Sequence, residues 1–184
     1  PASSFAAPRG LGKYVLYAGR IEEGKRVDVA VEYALRHAQE RADAPRLVLI
    51  GSGAYELPEE AEGIAINAGL LDEEERRAAY AEALALVNPS HMESFSIVLM
   101  EAWLEGTPAL VATGSDVLRE HAEHSGGGLA FHSYESYRDA VDGLLDDTAR
   151  RRDLGERGRS YVQENYSWPS ISARLRKTLE RLAA

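Results

Sequence analysis

Short apolar runs alternate with longer amphipathic stretches along almost the whole chain. Tyr14–Ala18, Leu47–Ile50, Ile64–Ala68, Ala85–Asn88, Ala109–Ala112 and Gly128–Phe131 are each about four to five residues long, and several are rich in Val, Leu and Ile. Gly, Pro or Asn bounds most of them. Uninterrupted apolar runs of this length fit strands buried on both faces of a parallel sheet. Helical periodicity fills the gaps, over Lys25–Arg41, Asp72–Ala83, Ser96–Glu105, Asp116–His124 and Glu135–Asp146. The alternation predicts an α/β fold: a Rossmann-like, doubly wound parallel sheet of about six strands with helices on both faces. After the last strand the pattern becomes wholly helical. Thr148–Asn165 is charged and amphipathic, and Ser167–Ala184 repeats Ile171, Leu175, Leu179 and Leu182 at helical spacing. Ser167, followed by Trp168 and Pro169, has the chemistry of a helix start. These C-terminal helices should pack on the sheet or on a neighbour outside this sequence. Residues 1–12 are rich in Pro, Ala, Ser and Gly and read as a linker, which leaves residues 13–184 as one domain.

Charge narrows the choice of partner. The 184 residues hold 21 Lys and Arg against 30 Asp and Glu, a formal net charge of −9. That argues against nucleic acid as partner, which needs a basic surface, and against an anionic membrane. No apolar run approaches the length of about 18 residues that spans a bilayer. The sequence has no Cys, which removes disulfides and Cys-based zinc sites and permits a reducing compartment; we expect a cytoplasmic protein.

Three segments concentrate the chemistry. The stretch from Pro89 to Pro108 follows a strand and opens a helix, where unpaired backbone N–H groups form an anion seat. Ser94, Phe95 and Ser96 are placed to offer them. The helix that follows is apolar on nearly every face, so Glu101 inside it needs donors: a basic side chain, backbone amides or ligand hydroxyls. The second segment, Tyr17 to Lys25, lies at the C-terminal edge of the first strand, where ligands of doubly wound sheets bind. Its cations Arg20 and Lys25, five residues apart, suit a diphosphate. The third, Gly51-Ser52-Gly53, has the start of a dinucleotide fingerprint, but Glu56 stands where its last glycine belongs. NAD binding is poorly supported, and turn chemistry accounts for the two glycines. The five His residues show no paired metal-ligand spacing, the charged neighbours of His121 and His124 favour a solvated face, and no Asp-x-Asp occurs.

Together these segments resemble the C-terminal domain of the retaining glycosyltransferases that include glycogen and sucrose synthases, sucrose-phosphate synthase and bacterial mannosyltransferases, the group 1 or family 4-like transferases of the GT-B fold. The most specific feature is Glu93 and Glu101 with seven residues between them, an E-x7-E spacing, followed by Ala102 and by Gly106-Thr107-Pro108. Gly19-Arg20, Lys25, Gly51-x-Gly53, Gly69-Leu70-Leu71-Asp72 and Asn88-Pro89-Ser90 follow in the family's order. The terminal helix at Ser167-Trp168 is similar to the one that crosses back to the N-terminal domain in the family. Ser96 and Arg26 stand where the family usually has glycine.

The resemblance implies one half of a GT-B fold: the nucleotide-sugar donor domain of a retaining, metal-independent hexosyltransferase. Arg20 and Lys25 would neutralise the donor diphosphate, while Glu93 would hold hydroxyls of the transferred sugar. The 94–96 amides would meet sugar and phosphate, with Gly19 and Gly51 close by. Glu101 would accept from the ribose, and Leu71 and Asp72 would lie at the base. No metal or cofactor is implied; the donor would be a UDP- or GDP-linked sugar, and the acceptor site would lie on an N-terminal Rossmann domain absent from these residues. Transfer needs no activated side-chain nucleophile here, because stabilising a leaving diphosphate is positioning and electrostatic chemistry. A nucleotide-sugar 2-epimerase, which shares the two-domain architecture, and a nonenzymatic nucleotide-binding module are the rival readings.

Overall fold

The computed structural model describes residues 4–6 and 9–183. Its six strands are β1 (Tyr14–Ala18), β2 (Arg46–Ile50), β3 (Ala65–Gly69), β4 (Leu86–Asn88), β5 (Ala109–Ala112) and β6 (Gly128–Phe131). All pairings are parallel, and the spatial order is β3-β2-β1-β4-β5-β6. Helices α1 (Val27–Glu40), α2 (Glu73–Glu82), α3 (Ile97–Leu104), α4 (Asp116–Ser125) and α5 (Tyr134–Asp146) alternate with the strands, and α6 (Thr148–Tyr166) and α7 (Trp168–Ala183) end the chain. This is the doubly wound α/β sheet that the hydrophobic pattern predicts.

Every residue of β1 is buried. Because side chains alternate along a strand, β1 feeds two cores. Val15 and Tyr17 join Leu47, Leu49 and Leu110 on the face covered by α1 and α5. Tyr14, Leu16 and Ala18 join Val48, Ile50 and Val111 on the face covered by α2, α3 and α4. Strand order reverses between β1 and β4, so the chain after β1 and the chain after β4 leave the same edge of the sheet in opposite directions and open a crevice between them.

Four features differ from the sequence reading. The helix predicted from Lys25 is interrupted: a short 3₁₀ turn at Glu23–Lys25 ends at Arg26, whose φ is 56°, and α1 starts only after it. A left-handed residue cannot propagate the right-handed hydrogen-bond ladder. Strand β3 runs one residue later than predicted at both ends, and its pairing register with β2 shifts near its C-terminal end, between Asn67 and Gly69. The described part of the segment read as a linker is anchored: Phe5 and Leu11 are buried, and both oxygens of Glu82 accept from the Phe5 and Ala6 amides at 3.0 and 2.7 Å. Two apolar side chains suffice to hold a stretch whose composition is otherwise that of a loop. Lastly, the tail helices behave differently from each other. Helix α6 packs against α3 and buries Val162, whereas α7 buries none of its described residues and leaves Trp168 81% and Leu182 80% exposed. No helix among the described residues is long and apolar enough to cross a membrane.

Arg26 and Ser96 are the two non-glycine residues with positive φ among those described, at 56° and 64°. They are two of the positions at which the sequence departs from the glycine usual in the family it resembles; at a third, Ser115 after Gly114, the backbone is extended with φ −110°. Arg26 and Ser96 each sit at the start of a helix that flanks the crevice, before α1 and before α3. The left-handed conformation costs a residue with a Cβ roughly 1–2 kcal/mol, and glycine is largely spared. Arg26→Gly should therefore raise stability by about 1 kcal/mol and the melting temperature by roughly 2–4 °C. Arg26→Ala keeps the strain and should bring no gain. Thermal unfolding of the two variants side by side tests this, and equal melting temperatures would contradict it.

Candidate functional site

The crevice lies where β1 and β4 diverge, and backbone contacts set its floor. The Gly19 amide donates to Ile50 O at 3.0 Å and the Ile21 amide to Ser52 O at 2.7 Å, so β1–β2 pairing continues past the ends of both strands. Gly51 has φ 134°, and a Cβ there would stand 1.8 Å from Gly19 O. A Cβ at Gly53 would meet Ile21 O at 2.0 Å. The two glycines thus serve close approach of two backbones, a reason that the sequence reading, which assigned them to turn chemistry, did not reach.

A cleft of about 290 Å³ opens on this floor. It is lined by five of the residues singled out in the sequence, Gly19, Arg20, Gly51, Leu71 and Glu101, and also by Arg76, Tyr80 and Val98. Glu101, on α3, keeps 31% of its side chain exposed toward the cleft. Its Oε2 accepts from the Tyr80 hydroxyl at 2.9 Å, and Arg76 lies 3.6 Å from its Oε1. Burial, and then the adjacent Glu101 charge, raises the Tyr80 hydroxyl pKa above its ordinary value, so it stays protonated and donates. The carboxylate in the apolar helix therefore has the donors it needs, a basic side chain among them. Tyr80 and Arg76 escaped the sequence reading because both lie on α2, where one reads as an apolar-face residue and the other as a solvated cation.

Lys25, Glu93 and residues 94–96 are not among the residues lining this cleft; Lys25 and Glu93 pair with each other. Lys25 Nζ donates to Glu93 Oε1 at 2.9 Å and to the Met92 carbonyl at 3.1 Å, with 21% and 13% of the two side chains exposed. Arg20 is far more open, 68% exposed, and pairs with Glu22 at 3.1 Å. Ser94 is exposed, Phe95 half-buried and Ser96 buried, with the Ser96 Oγ accepting from Asn88 Nδ2 at 3.1 Å. No side chain caps α3, so the amides of its first turn are left to other acceptors. Asp72 does not line the cleft; it caps α2 by accepting from the Glu75 amide at 2.8 Å.

Phe95 is held from behind. His121 and Tyr166 stand edge-on to its ring with centroids at 5.4 and 5.1 Å, and His121 Nδ1 lies 3.0 Å from the Tyr161 hydroxyl. His121 is 9% exposed, which corrects the solvated face expected from its charged neighbours; the aromatic side chains of α6 cover it, and no local pattern on α4 records them. Burial lowers its pKa from the ordinary value.

Residues 6–161 match the family described as Glycosyl transferases group 1. The chain belongs to that family. A D-inositol 3-phosphate glycosyltransferase of Corynebacterium aurimucosum is 30% identical over 176 residues, a match covering 89% of this chain and 42% of that protein. The chain thus spans less than half the length of that relative. Among solved structures, Anabaena HepE in complex with UDP superposes with a TM-score of 0.78 at 15% identity, covering 96% of this chain and 51% of that one. The C-terminal domain of the Francisella tularensis group 1 transferase LpcC gives a TM-score of 0.69 at 18% identity, with coverage of 88% and 90%. The fold is that of one domain of a GT-B glycosyltransferase.

The Lys25–Glu93 pair yields a prediction that its loop position alone would not. Lys25→Ala removes the partner of a carboxylate with little exposure, so it should lower stability by about 1–3 kcal/mol. Adding Glu93→Gln should recover part of that loss. Urea unfolding of both single variants and the double variant measures the coupling, and strict additivity would show that the pair contributes nothing.

Proposed function

We propose that this chain is the nucleotide-sugar donor domain of a retaining, metal-independent hexosyltransferase of the group 1 family. The observation that carries the reading is the cleft at the β1/β4 switch point, which joins Arg20, the Gly19–Gly51 floor and a Glu101 held by Tyr80 and Arg76. Nucleotides bind doubly wound sheets at such a crevice. The cleft is narrow and mostly apolar-walled, with a few convergent polar groups.

In this reading Arg20 and Lys25 meet the diphosphate, and the uncapped amides at the start of α3 add their dipoles. Lys25 is shared between Glu93 and the incoming phosphate, so donor binding brings the charge of Glu93 to the sugar. The Tyr80 hydroxyl fixes one oxygen of Glu101 and leaves the other turned to the ribose hydroxyls. Leu71 packs on the base, while Asp72 acts through the position of α2. As the sugar–phosphate bond breaks, the developing charge on the diphosphate is met by groups already in place. The donor is UDP- or GDP-linked; HepE, one of the fold neighbours, is solved with UDP. The acceptor is held by the other half of a longer protein, so the 184 residues alone should bind a donor and transfer nothing.

Ligand that binds only the native state stabilises it by RT ln(1 + [L]/Kd), about 2.7 kcal/mol at a hundredfold excess over Kd. A panel of UDP-, GDP- and ADP-sugars should therefore contain one that raises the melting temperature in a dose-dependent way, with EDTA present or absent. A flat panel overturns the proposal, and a response that appears only with added magnesium or manganese overturns its metal independence. Within the site, Arg20→Ala should weaken diphosphate binding about ten- to a hundredfold with stability nearly unchanged.

Glu101→Gln keeps the shape and removes the charge. It should lower ribonucleotide affinity and narrow the gap between the ribo and 2′,3′-dideoxy forms. An affinity ratio equal to wild type in calorimetric titrations would assign Glu101 to Tyr80 and Arg76 alone.

A further inference from the structure

A second pocket, of about 160 Å³, opens at the C-terminal ends of β4, β5 and β6 against the first turns of α1. Arg26, His91 and His132 are its basic lining residues, Thr113 lines it as well, and Tyr33 and Phe131 contribute aromatic wall. No Asp or Glu is among its lining residues, in a chain whose net charge is −9. The expected surface of such a protein is acidic, so a recess carrying one guanidinium, two imidazoles and no carboxylate is the feature that a random distribution of charge supplies least readily.

The pocket is also built. The His91 ring lies over Gly114, where a Cβ would stand 2.4 Å from it, so only glycine at 114 leaves the imidazole its place. The Arg26 guanidinium reaches across to that ring from a backbone held at φ 56°. Both His91 and His132 are exposed to solvent and open to a ligand.

Its position gives it a partner. Two short segments of chain join the pocket to the Lys25–Glu93 pair. In one, Lys25 binds Met92 O and Glu93 while the next residue, Arg26, turns to the second pocket; in the other, His91 turns to that pocket while Met92 and Glu93 face Lys25. The second pocket is therefore one residue along the chain from Lys25, through Arg26, and two from Glu93, through His91.

We propose that Arg26, His91 and His132 form an anion subsite that receives a phosphate or carboxylate group of a substrate bound beside Lys25 and Glu93. The guanidinium supplies paired donors in the plane that phosphate and carboxylate prefer. The imidazoles and Thr113 complete the set. The site stands on its own geometry, but its attribution to a transferase substrate rests on the function proposed above. The anion belongs either to the transferred sugar or to the acceptor, and the chemistry recognised is the same.

The test uses the 184-residue chain with labelled histidine and reads the His91 and His132 ring resonances by NMR. Inorganic phosphate should shift both rings saturably, and Arg26→Gly, which suits the backbone at 26, should weaken that response at least about tenfold. Rings that do not respond, or respond equally in the variant, overturn the proposal. So does phosphate that perturbs only the amides of residues 19–20 and 94–96, which would place the anion in the donor cleft. Two further arms distinguish the source. UDP-glucuronate binding more tightly than UDP-glucose in an Arg26-dependent way supports an anionic sugar, and a free sugar phosphate that shifts the rings while the two donors bind alike supports an anionic acceptor. Failure of every nucleotide sugar to bind, with the phosphate response intact, would remove the donor reading and leave the anion site standing.

Discussion

A parallel sheet must be covered on both faces, and in this domain that constraint holds along the whole of β1, which lies between β2 and β4 with every residue buried, as it does along β4 and β5. Helices have to pack on either side, so the connections on one side of β1 run one way and those beyond β4 run the other. The reversal leaves one edge where no helix can fill the gap. Several of the residues singled out in the sequence lie along it: the Gly19–Gly51 contact, the Lys25–Glu93 pair and the start of α3 with Glu101 one turn in. The crevice is a by-product of burying the sheet, and the residues placed along it make it the candidate site.

The same edge is where the backbone departs from ordinary conformations. Gly19, Gly51, Gly53 and Gly69 all have positive φ there, and so do Arg26 and Ser96, which lack glycine's freedom. Strain held by non-glycine residues at a ligand crevice is a recurrent sign of function. Here each has a side-chain use as well: Ser96 accepts from the buried Asn88 amide, and Arg26 meets His91. The departures from glycine trade stability for polar groups placed at two neighbouring recesses.

Electrostatics follows the same division. The acidic excess is spread over exposed helix faces, as in the Arg119 pairs with Asp116 and Glu123 on α4. Exposed pairs of that kind contribute little to stability. At the crevice edge, by contrast, Lys25 and Glu93 are paired with 21% and 13% of their side chains exposed, so those two charges are already largely desolvated and oriented, whereas Arg76 beside Glu101 stays as open as Arg119. Behind it, the Phe95–His121–Tyr161–Tyr166 cluster ties the loop before α3 to the end of α6, where the unpacked α7 begins.

Local pattern determined most of the architecture. Apolar runs of strand length, separated by helical periodicity, require a parallel α/β sheet whatever the details, and all six strands fall within a residue of their predicted bounds. The order of motifs was equally legible, because residue type and spacing survive in one dimension. What the sequence could not carry were relations between segments far apart along it. That Gly51 is glycine on account of Gly19, that Glu101 is held by Tyr80 and Arg76, that His121 is covered by α6, and that Phe5 and Leu11 anchor an apparent linker all depend on which surfaces meet once the sheet is wound. Periodicity reports which face of an element is apolar; only packing decides what that face, and the polar groups at its rim, will touch.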